Sequence, residues 1–403
     1  MIGPHVHFLD LALEITAIPI LAAAAYLALL ALAAGWRAPL AGARWHRFDV
    51  IIPAHDEGGG IEATVRSVLA VDYPTDLYRV LVVADNCSDS TADRARAAGA
   101  RLLERHDDTR RGKGYALELA YRASCTEGFA DAVVVIDADS VASENLLTAF
   151  SAHLEQGQEA MQAEYGIRNP NASWRTRLMV VAFALFHTTR SRARETLGLS
   201  CGLRGNGMCF STALLRRVAP SAFSVVEDIE YGLALGRAGV RVAHVGEAAV
   251  LGDMPATGRD ASSQRARWEG GRWRLARQHV PSLLREAIAR RDIVLLDLAA
   301  DLLVPPLTTL TALAAGGGAL ALVAYLAGAA SLTPLILWSL ATLCLIVYVT
   351  RALIVTEMGW SAVGALMWVP VYAIWKLVVL TRPSTRPVSW VRTSRSHDIP
   401  KNT

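Results

Sequence analysis

Cysteine is scarce in this chain. The 403 residues hold five, Cys87, Cys125, Cys201, Cys209 and Cys344, and no two stand at CxxC or otherwise paired spacing. That scatter excludes a disulfide framework and a zinc site, and it fits a reducing compartment. Neither sign of charge dominates, because 40 Lys+Arg face 37 Asp+Glu for a net +3. No global charge argues for a nucleic-acid partner, so partners must be read from local sites. Charge itself is sparse, at 19% against 53% hydrophobic residues, with a mean hydropathy of +0.30. Such a balance excludes disorder and collagen-like repeats, and it directs attention to a membrane.

Ile15 to Ala34 is a run of 20 residues without a charge, enough helix to cross ~30 Å of hydrocarbon at ~1.5 Å per residue. A signal peptide is the rival reading. Met1 to Glu14 contains no Lys or Arg and the run is long for a signal sequence, which favours an uncleaved anchor. Arg37, Arg44 and Arg47 follow it, so the positive-inside rule puts the N-terminus outside and the next segment in the cytoplasm. Leu302 to Thr350 is a second charge-free stretch, interrupted only by a turn-like segment from Gly328 to Pro334. It has the length of two spans and a hairpin.

Met358 to Trp375 offers a further crossing. Three crossings after the soluble part would export a tail bearing Arg382, Arg386, Arg392, Arg395 and Lys401, whereas an even number would keep it inside; the sequence leaves both topologies open. Asp292 to Pro306 places Asp297 and Asp301 on an otherwise apolar helical pattern, as in a segment lying in the membrane interface or crossing it imperfectly. The expected divisions are an anchor over 1–36, a catalytic domain over 37–280, an interfacial amphipathic helix over 281–301, transmembrane helices over 302–381 and a basic cytoplasmic tail over 382–403.

The soluble part reads as α/β. Phe48 to Pro53 is a short apolar run, followed by Gly58-Gly59-Gly60 and a helical pattern from Ile61 to Ala70. Tyr78 to Ala84 repeats the strand signal and ends at a polar segment, Asp85 to Ser90, suited to capping a helix from Thr91 to Ala98. Ala132 to Ile136 is a third apolar strand, ending at Asp137-Ala138-Asp139. Alternating strands and helices predict a mostly parallel sheet, whose ligands gather at the carboxyl ends of the strands. His55, Asp56, Glu57, Asp85, Asp137 and Asp139 all fall there.

Two carboxylates at the end of one strand, Asp137 and Asp139, suit a hard divalent cation that links them to phosphate oxygens. In isolation a solvated turn is the better explanation of the pair, and it is the company of Asp85 and the basic run from Arg110 that favours the cation. Arg110, Arg111 and Lys113 lead into a helix and provide the cationic donors a diphosphate requires, or else a solvated loop. Glu227, Asp228 and Glu230 are acids at a helix start, where the helix dipole alone would favour them; a carboxylate held among others can also be tuned to accept a proton. Gln264, Arg267 and Trp268 share a helix face. An indole beside a guanidinium suits a sugar and a phosphate, while Arg259, Arg272, Trp273, Arg274 and Arg277 also fit a basic helix on a membrane surface.

The order of these motifs, Pro53-Ala-His-Asp-Glu57, Asp85-Asn-Cys-Ser-Asp89, Arg111-Gly-Lys-Gly114, Asp137-Ala-Asp139, Glu227-Asp228 and Gln264-Arg-Ala-Arg-Trp268, resembles that of family 2 glycosyltransferases. In particular it is similar to membrane-integrated, inverting members such as the cellulose, hyaluronan and poly-N-acetylglucosamine synthases. The motifs cover about residues 48 to 275. The resemblance implies a GT-A domain, Rossmann-like with a mostly parallel sheet, joined to transmembrane helices. It implies that Pro53, His55, Glu57, Asp85, Lys113, Asp137 and Arg267 bind a nucleotide sugar, the uridine part lying at Glu57 and Asp85. Asp139 with Asp137 would bind Mg2+ or Mn2+, Asp228 beside Glu227 would be the general base, and Gly205, Asn206, Gln264 and Trp268 would meet the acceptor. The motif most synthases show as Thr-Glu-Asp is Val-Glu-Asp here, which leaves the base in place.

The resulting expectation is an enzyme of the bacterial inner membrane, multi-pass, with a cytoplasmic catalytic domain. It would move a hexosyl unit from a UDP-sugar to a glycan or lipid-linked acceptor in exopolysaccharide synthesis, with polysaccharide-synthesis proteins as possible partners and no nucleic acid. The alternatives are a single-addition transferase acting on a polyprenyl phosphate or other lipid, and a catalytically silent nucleotide-binding scaffold.

Overall fold

The computed structural model describes residues 4–42, 46–221, 224, 226–254 and 258–369, without the side chains of 4–7, 258–269 and 360–361. Arg44, the basic tail and the end of the expected crossing from Met358 to Trp375 lie outside the described residues. In chain order the elements are α1 (Pro4–Ala33), β1 (Phe48–Ala54), α2 (Ile61–Leu69), β2 (Tyr78–Asp85), α3 (Thr91–Ala97), β3 (Arg101–Arg105), α4 (Lys113–Glu127), β4 (Ala132–Val135), β5 (Ser140–Ala142), α5 (Leu146–Glu155) and β6 (Ala160–Ile167). There follow α6 (Trp174–Phe183), a π-helical turn (Ala184–Thr189), α7 (Arg190–Thr196), β7 (Met208–Ser211), α8 (Thr212–Arg217), α9 (Glu227–Arg237), β8 (Val242–Gly252), α10 (Gly258–Arg290), α11 (Ile293–Leu303), α12 (Leu307–Leu326), α13 (Leu332–Val355) and α14 (Gly359–Leu366).

The strands form one eight-stranded sheet in the order β3-β2-β1-β4-β7-β6-β8-β5. The block β3-β2-β1-β4 is parallel throughout. β7 runs antiparallel to β4 and to β6, β8 runs parallel to β6, and β5 is antiparallel to β8. Side-chain alternation explains why the parallel strands read as unbroken apolar runs. Val50 and Ile52 of β1, Val80 and Val82 of β2 and Val134 of β4 enter one core. Ile51, Leu81, Val83, Val133 and Val135 enter a second core on the opposite face. Both faces of β1, β2 and β4 are covered, so charge before their ends is confined to Asp49 and Arg79, which pair with each other, whereas the edge strand β3 exposes Arg101 and Glu104.

The chain leaves β1 toward β2 on one side and later returns to β4 on the other. That reversal opens a crevice at the carboxyl ends of β1 and β4, the usual ligand position in such sheets. Three helices, over Phe8–Ala33, Leu307–Leu326 and Leu332–Val355, are long and apolar enough to cross a membrane. They pack into one cluster in which Leu27, Leu310, Trp338 and Tyr348 are buried, and Gly317 lies against the Trp338 ring. α11 does not present its acids to water: Asp297 is 5% exposed and pairs with Arg194 of α7.

Candidate active site

β1 ends in a turn that puts Asp56 in the left-handed region, at φ 53°, and β2 ends similarly at Asn86, at φ 51°. Asp56 Oδ1 accepts hydrogen bonds from the backbone N–H of Ser88 at 2.7 Å and of Asp89 at 3.2 Å. His55 Nδ1 lies 2.6 Å from the Asp85 carbonyl, and the Glu57 N–H donates to Thr91 Oγ1 at 2.8 Å. The two loops are therefore clasped together. Asp56, Cys87 and Asp89 bring three candidate ligand atoms within 4.8 Å of one another, but the two carboxylates already accept backbone N–H groups, Asp89 from Gly58 and Thr91. Asp85 is nearly buried, and Arg105 of β3 donates to it at 2.7 Å while lying over the Tyr115 ring. Pro53 lies within β1, beside Val83 of β2.

The end of β4 is where distant segments meet. Lys113, the first residue of α4, is ion-paired to Asp137 and donates to the Gly205 carbonyl at 2.5 Å. Gly205 is left-handed at φ 77°, and a Cβ there would lie 3.4 Å from Asp228 Oδ2 and 3.6 Å from Lys113 Nζ. The backbone conformation favours glycine here, and a Cβ would meet both groups at ordinary contact distance. So Asp137, Lys113, Gly205 and Asp228, from four stretches of the chain, share one site. Gly112, at φ 136°, precedes α4 without a side-chain cap, and a helix start beside an ammonium suits phosphate oxygens.

Asn206, expected to meet the acceptor, is fully buried. Its Oδ1 accepts the Asp137 N–H at 3.1 Å and its Nδ2 donates to Ser140 Oγ at 2.9 Å, so it ties the loop around Asp137 and Asp139 to the glycine turn rather than facing a ligand. Gln162 of β6 supports the same turn, donating to the Asn206 carbonyl at 2.7 Å and accepting the Arg204 N–H at 2.8 Å. Sequence reasoning missed Gln162 because a polar residue inside a strand carries no motif.

Electrostatics divide the site's acids. Burial pushes Glu227 up to about 7; Lys113 opposes this and the neighbouring Asp228 and Asp137 reinforce it. Asp228 is also raised, chiefly by burial, against the N–H of Ile229 and the charges of Lys113 and Arg204. Burial pulls Lys113 down, but the charges of Asp137, Glu227 and Asp228 outweigh it and leave the ammonium above its ordinary value. One cation thus stands among three acids in a partly dry crevice, where such charges act strongly. Asp137 and Asp139 are hard oxygen donors, partly exposed at the crevice, and that donor chemistry fits Mg2+ or Mn2+. Gln264, Arg267 and Trp268 fall on α10, with their side chains outside the described residues.

Residues 46–271 match the family model described as "Glycosyltransferase like family 2". A stretch of 97 residues is 38% identical to the glycosyltransferase AglD of Haloferax volcanii, covering 23% of this chain and 15% of that protein. Another of 104 residues is 31% identical to the cellulose synthase 1 catalytic subunit (UDP-forming) of Komagataeibacter xylinus, covering 26% of this chain and 13% of that one. The chain thus spans a small part of these relatives. Among solved structures, the mannosyltransferase PcManGT of Pyrobaculum calidifontis, in complex with GDP-Man and Mn2+, superimposes with a TM-score of 0.52 at 22% identity, over 85% of this chain and 99% of that one. The matched model covers more than half of the sequence and the ordered motifs lie inside it: the chain is a family 2 glycosyltransferase, with a GT-A domain carrying apolar helices of membrane-spanning length.

Proposed function

We propose that the protein is a membrane-bound inverting transferase that moves a hexosyl unit from a UDP-sugar to a glycan or lipid-linked acceptor, within exopolysaccharide synthesis. In this reading 37–280 is the catalytic domain, held at the cytoplasmic face of a bacterial inner membrane by the anchor and the helices of 302–381. Asp228 takes the proton of the acceptor hydroxyl while that oxygen attacks the anomeric carbon from the face opposite the nucleotide. A new C–O bond forms, the bond to the diphosphate breaks, and its electron pair leaves with UDP. Lys113 and Arg267 hold the charge that develops on the diphosphate, where fixed opposite charges in a dry site act most strongly. Asp139 with Asp137 would hold Mg2+ or Mn2+, which when bound supplies further neutralisation of the diphosphate. Glu57, Asp85 and His55 border the nucleoside end, and Gly205, Gln264 and Trp268 the acceptor end.

The observation that carries this reading is the meeting of Lys113, Asp137 and Asp228 around the Gly205 turn. Radiolabelled UDP-sugars incubated with purified membranes and Mg2+ or Mn2+ test it. The expected result is metal-dependent UDP release with label in a larger or lipid-extractable product, and no turnover of any nucleotide sugar would sink it.

A further inference from the structure

α9, whose first turn carries Asp228, is gripped by the two helices that follow it in the chain. Val226, directly in front of Glu227 and Asp228, is 4% exposed and shares one core with Leu275 and Ala276 of α10 and Leu295 and Leu298 of α11. On the α11 side the close approach is made at Gly236, where a Cβ would lie 2.5 Å from Leu298 Cδ1. On the α10 side it is made at Gly271, where a Cβ would lie 2.8 Å from Val226 Cγ1 and 3.0 Å from Val226 Cγ2. α11 is itself fixed. Arg272 of α10 donates to the Asp301 carbonyl and reaches its carboxylate at 3.1 Å, and Asp297 accepts from Arg194 at 2.8 Å and from Tyr26 of α1 at 2.7 Å.

Gly270 and Gly271 stand side by side within α10 and differ in what they face. Nothing lies within 4 Å of the place a Cβ would take at Gly270. Helical backbone calls for glycine at neither position, and alanine is the better helix former, so contact and not conformation explains Gly271. Two of the three staggered positions on Val226 Cβ face it. A side chain with two γ atoms fills at least one of them in every rotamer. An added Cβ therefore forces α10 and the start of α9 apart. Gly271 lies about one turn beyond Trp268 on the same helix, so that shift carries the segment from Gln264 to Trp268 away from Asp228.

We propose that the contact of Gly271 with Val226 sets the spacing between the base on α9 and the α10 segment that meets the diphosphate and the acceptor. Both are positioning residues, and the assignment rests on the transferase reading above. Full-length variants are compared in membranes at equal amounts of folded protein, with Mn2+ and the labelled UDP-sugar that the wild type turns over. Gly271→Ala should lower kcat for transfer about tenfold or more. UDP affinity, measured in detergent, should change by about threefold at most, because Glu57, Asp85 and Lys113 lie on other elements. Adding Val226→Ala to Gly271→Ala should recover most of the loss, since the two sites couple through one contact. Adding Val226→Thr instead, which keeps both γ positions filled, should recover none of it. Gly270→Ala makes the same change of residue type without the contact and should transfer as the wild type does.

Wild-type kcat in Gly271→Ala would overturn the proposal. So would an equal loss in Gly270→Ala, a double variant with Val226→Ala no better than Gly271→Ala, equal recovery with Val226→Thr, or UDP affinity falling in step with kcat. No turnover by the wild type would remove the transferase reading and this assignment with it, whereas the other outcomes bear on the contact alone.

Discussion

Two charged regions flank α9 and are built in opposite ways. In the crevice at the end of β4, Asp137, Glu227 and Asp228 crowd one ammonium, and burial raises Glu227, to about 7, and Asp228. On the membrane side four arginines crowd Asp297 and Asp301; burial would raise Asp301, but the charges of Arg194, Arg272, Arg190 and Arg204 hold it well below the ordinary carboxylate range. Excess acid yields a group able to take a proton near neutrality. Excess guanidinium yields carboxylates locked in the charged form, which suits holding helices together. The same residue types serve both ends, and the local ratio decides what each can do.

The largest expected effect breaks the first region. Asp228→Asn removes the proton acceptor and should lower transfer by about 10²- to 10⁴-fold, while nucleotide binding, followed by calorimetry, persists. Wild-type turnover by this variant would remove the base from the scheme. Next, Arg194→Met leaves the Asp297 charge buried with only the Tyr26 hydroxyl to pair with and should destabilise the protein by about 3–5 kcal/mol, read from unfolding in detergent. An unmoved unfolding transition would mean that the membrane-side network does not hold α1, α7 and α11 together.

A subtler comparison uses pH. Below about 7 the Glu227–Asp228 pair gains a proton, so kcat/KM, which reports the free enzyme, should fall as pH drops through that region. Glu227→Gln removes a like charge and should move this acid limb to lower pH; a limb that stays in place assigns it to another group. The smallest effect is that of Tyr348→Phe. It deletes the hydroxyl that accepts from Arg190 and donates to the Leu185 carbonyl at 2.7 Å, and should cost about 1 kcal/mol.

The edge strand β3, with Arg101 and Glu104 exposed, carries no apolar run, whereas β1, β2 and β4 are legible in the sequence because strands buried on both faces need mostly apolar residues, as in Val80 to Ala84. The antiparallel half is not. β6 carries Gln162 and Glu164 on its way past the site, β7 has four residues, and the β6–β8 register shifts between Ala163 and Glu164. Each feature erases the period that pattern reading depends on. The site is legible where a motif ends a strand or starts a helix, as at Asp137, Lys113 and Asp228. Arg194, Arg204 and Gln162 carry no such marker, and their roles follow only from the neighbours they meet.

The linear order of residues by itself determined the family, the alternation of strand and helix, the acids at the strand ends and the presence of helices able to span a membrane, because each is a local pattern of apolar and charged positions. Tertiary structure alone decided that Lys113 bridges Asp137 to the Gly205 turn, that Asn206 is a tie rather than a ligand contact, and that Asp297 and Asp301 face arginines instead of lipid or water. The reason is that the balance of charge at a site sums over residues up to 271 positions apart, as from Tyr26 to Asp297, and no local window contains that sum.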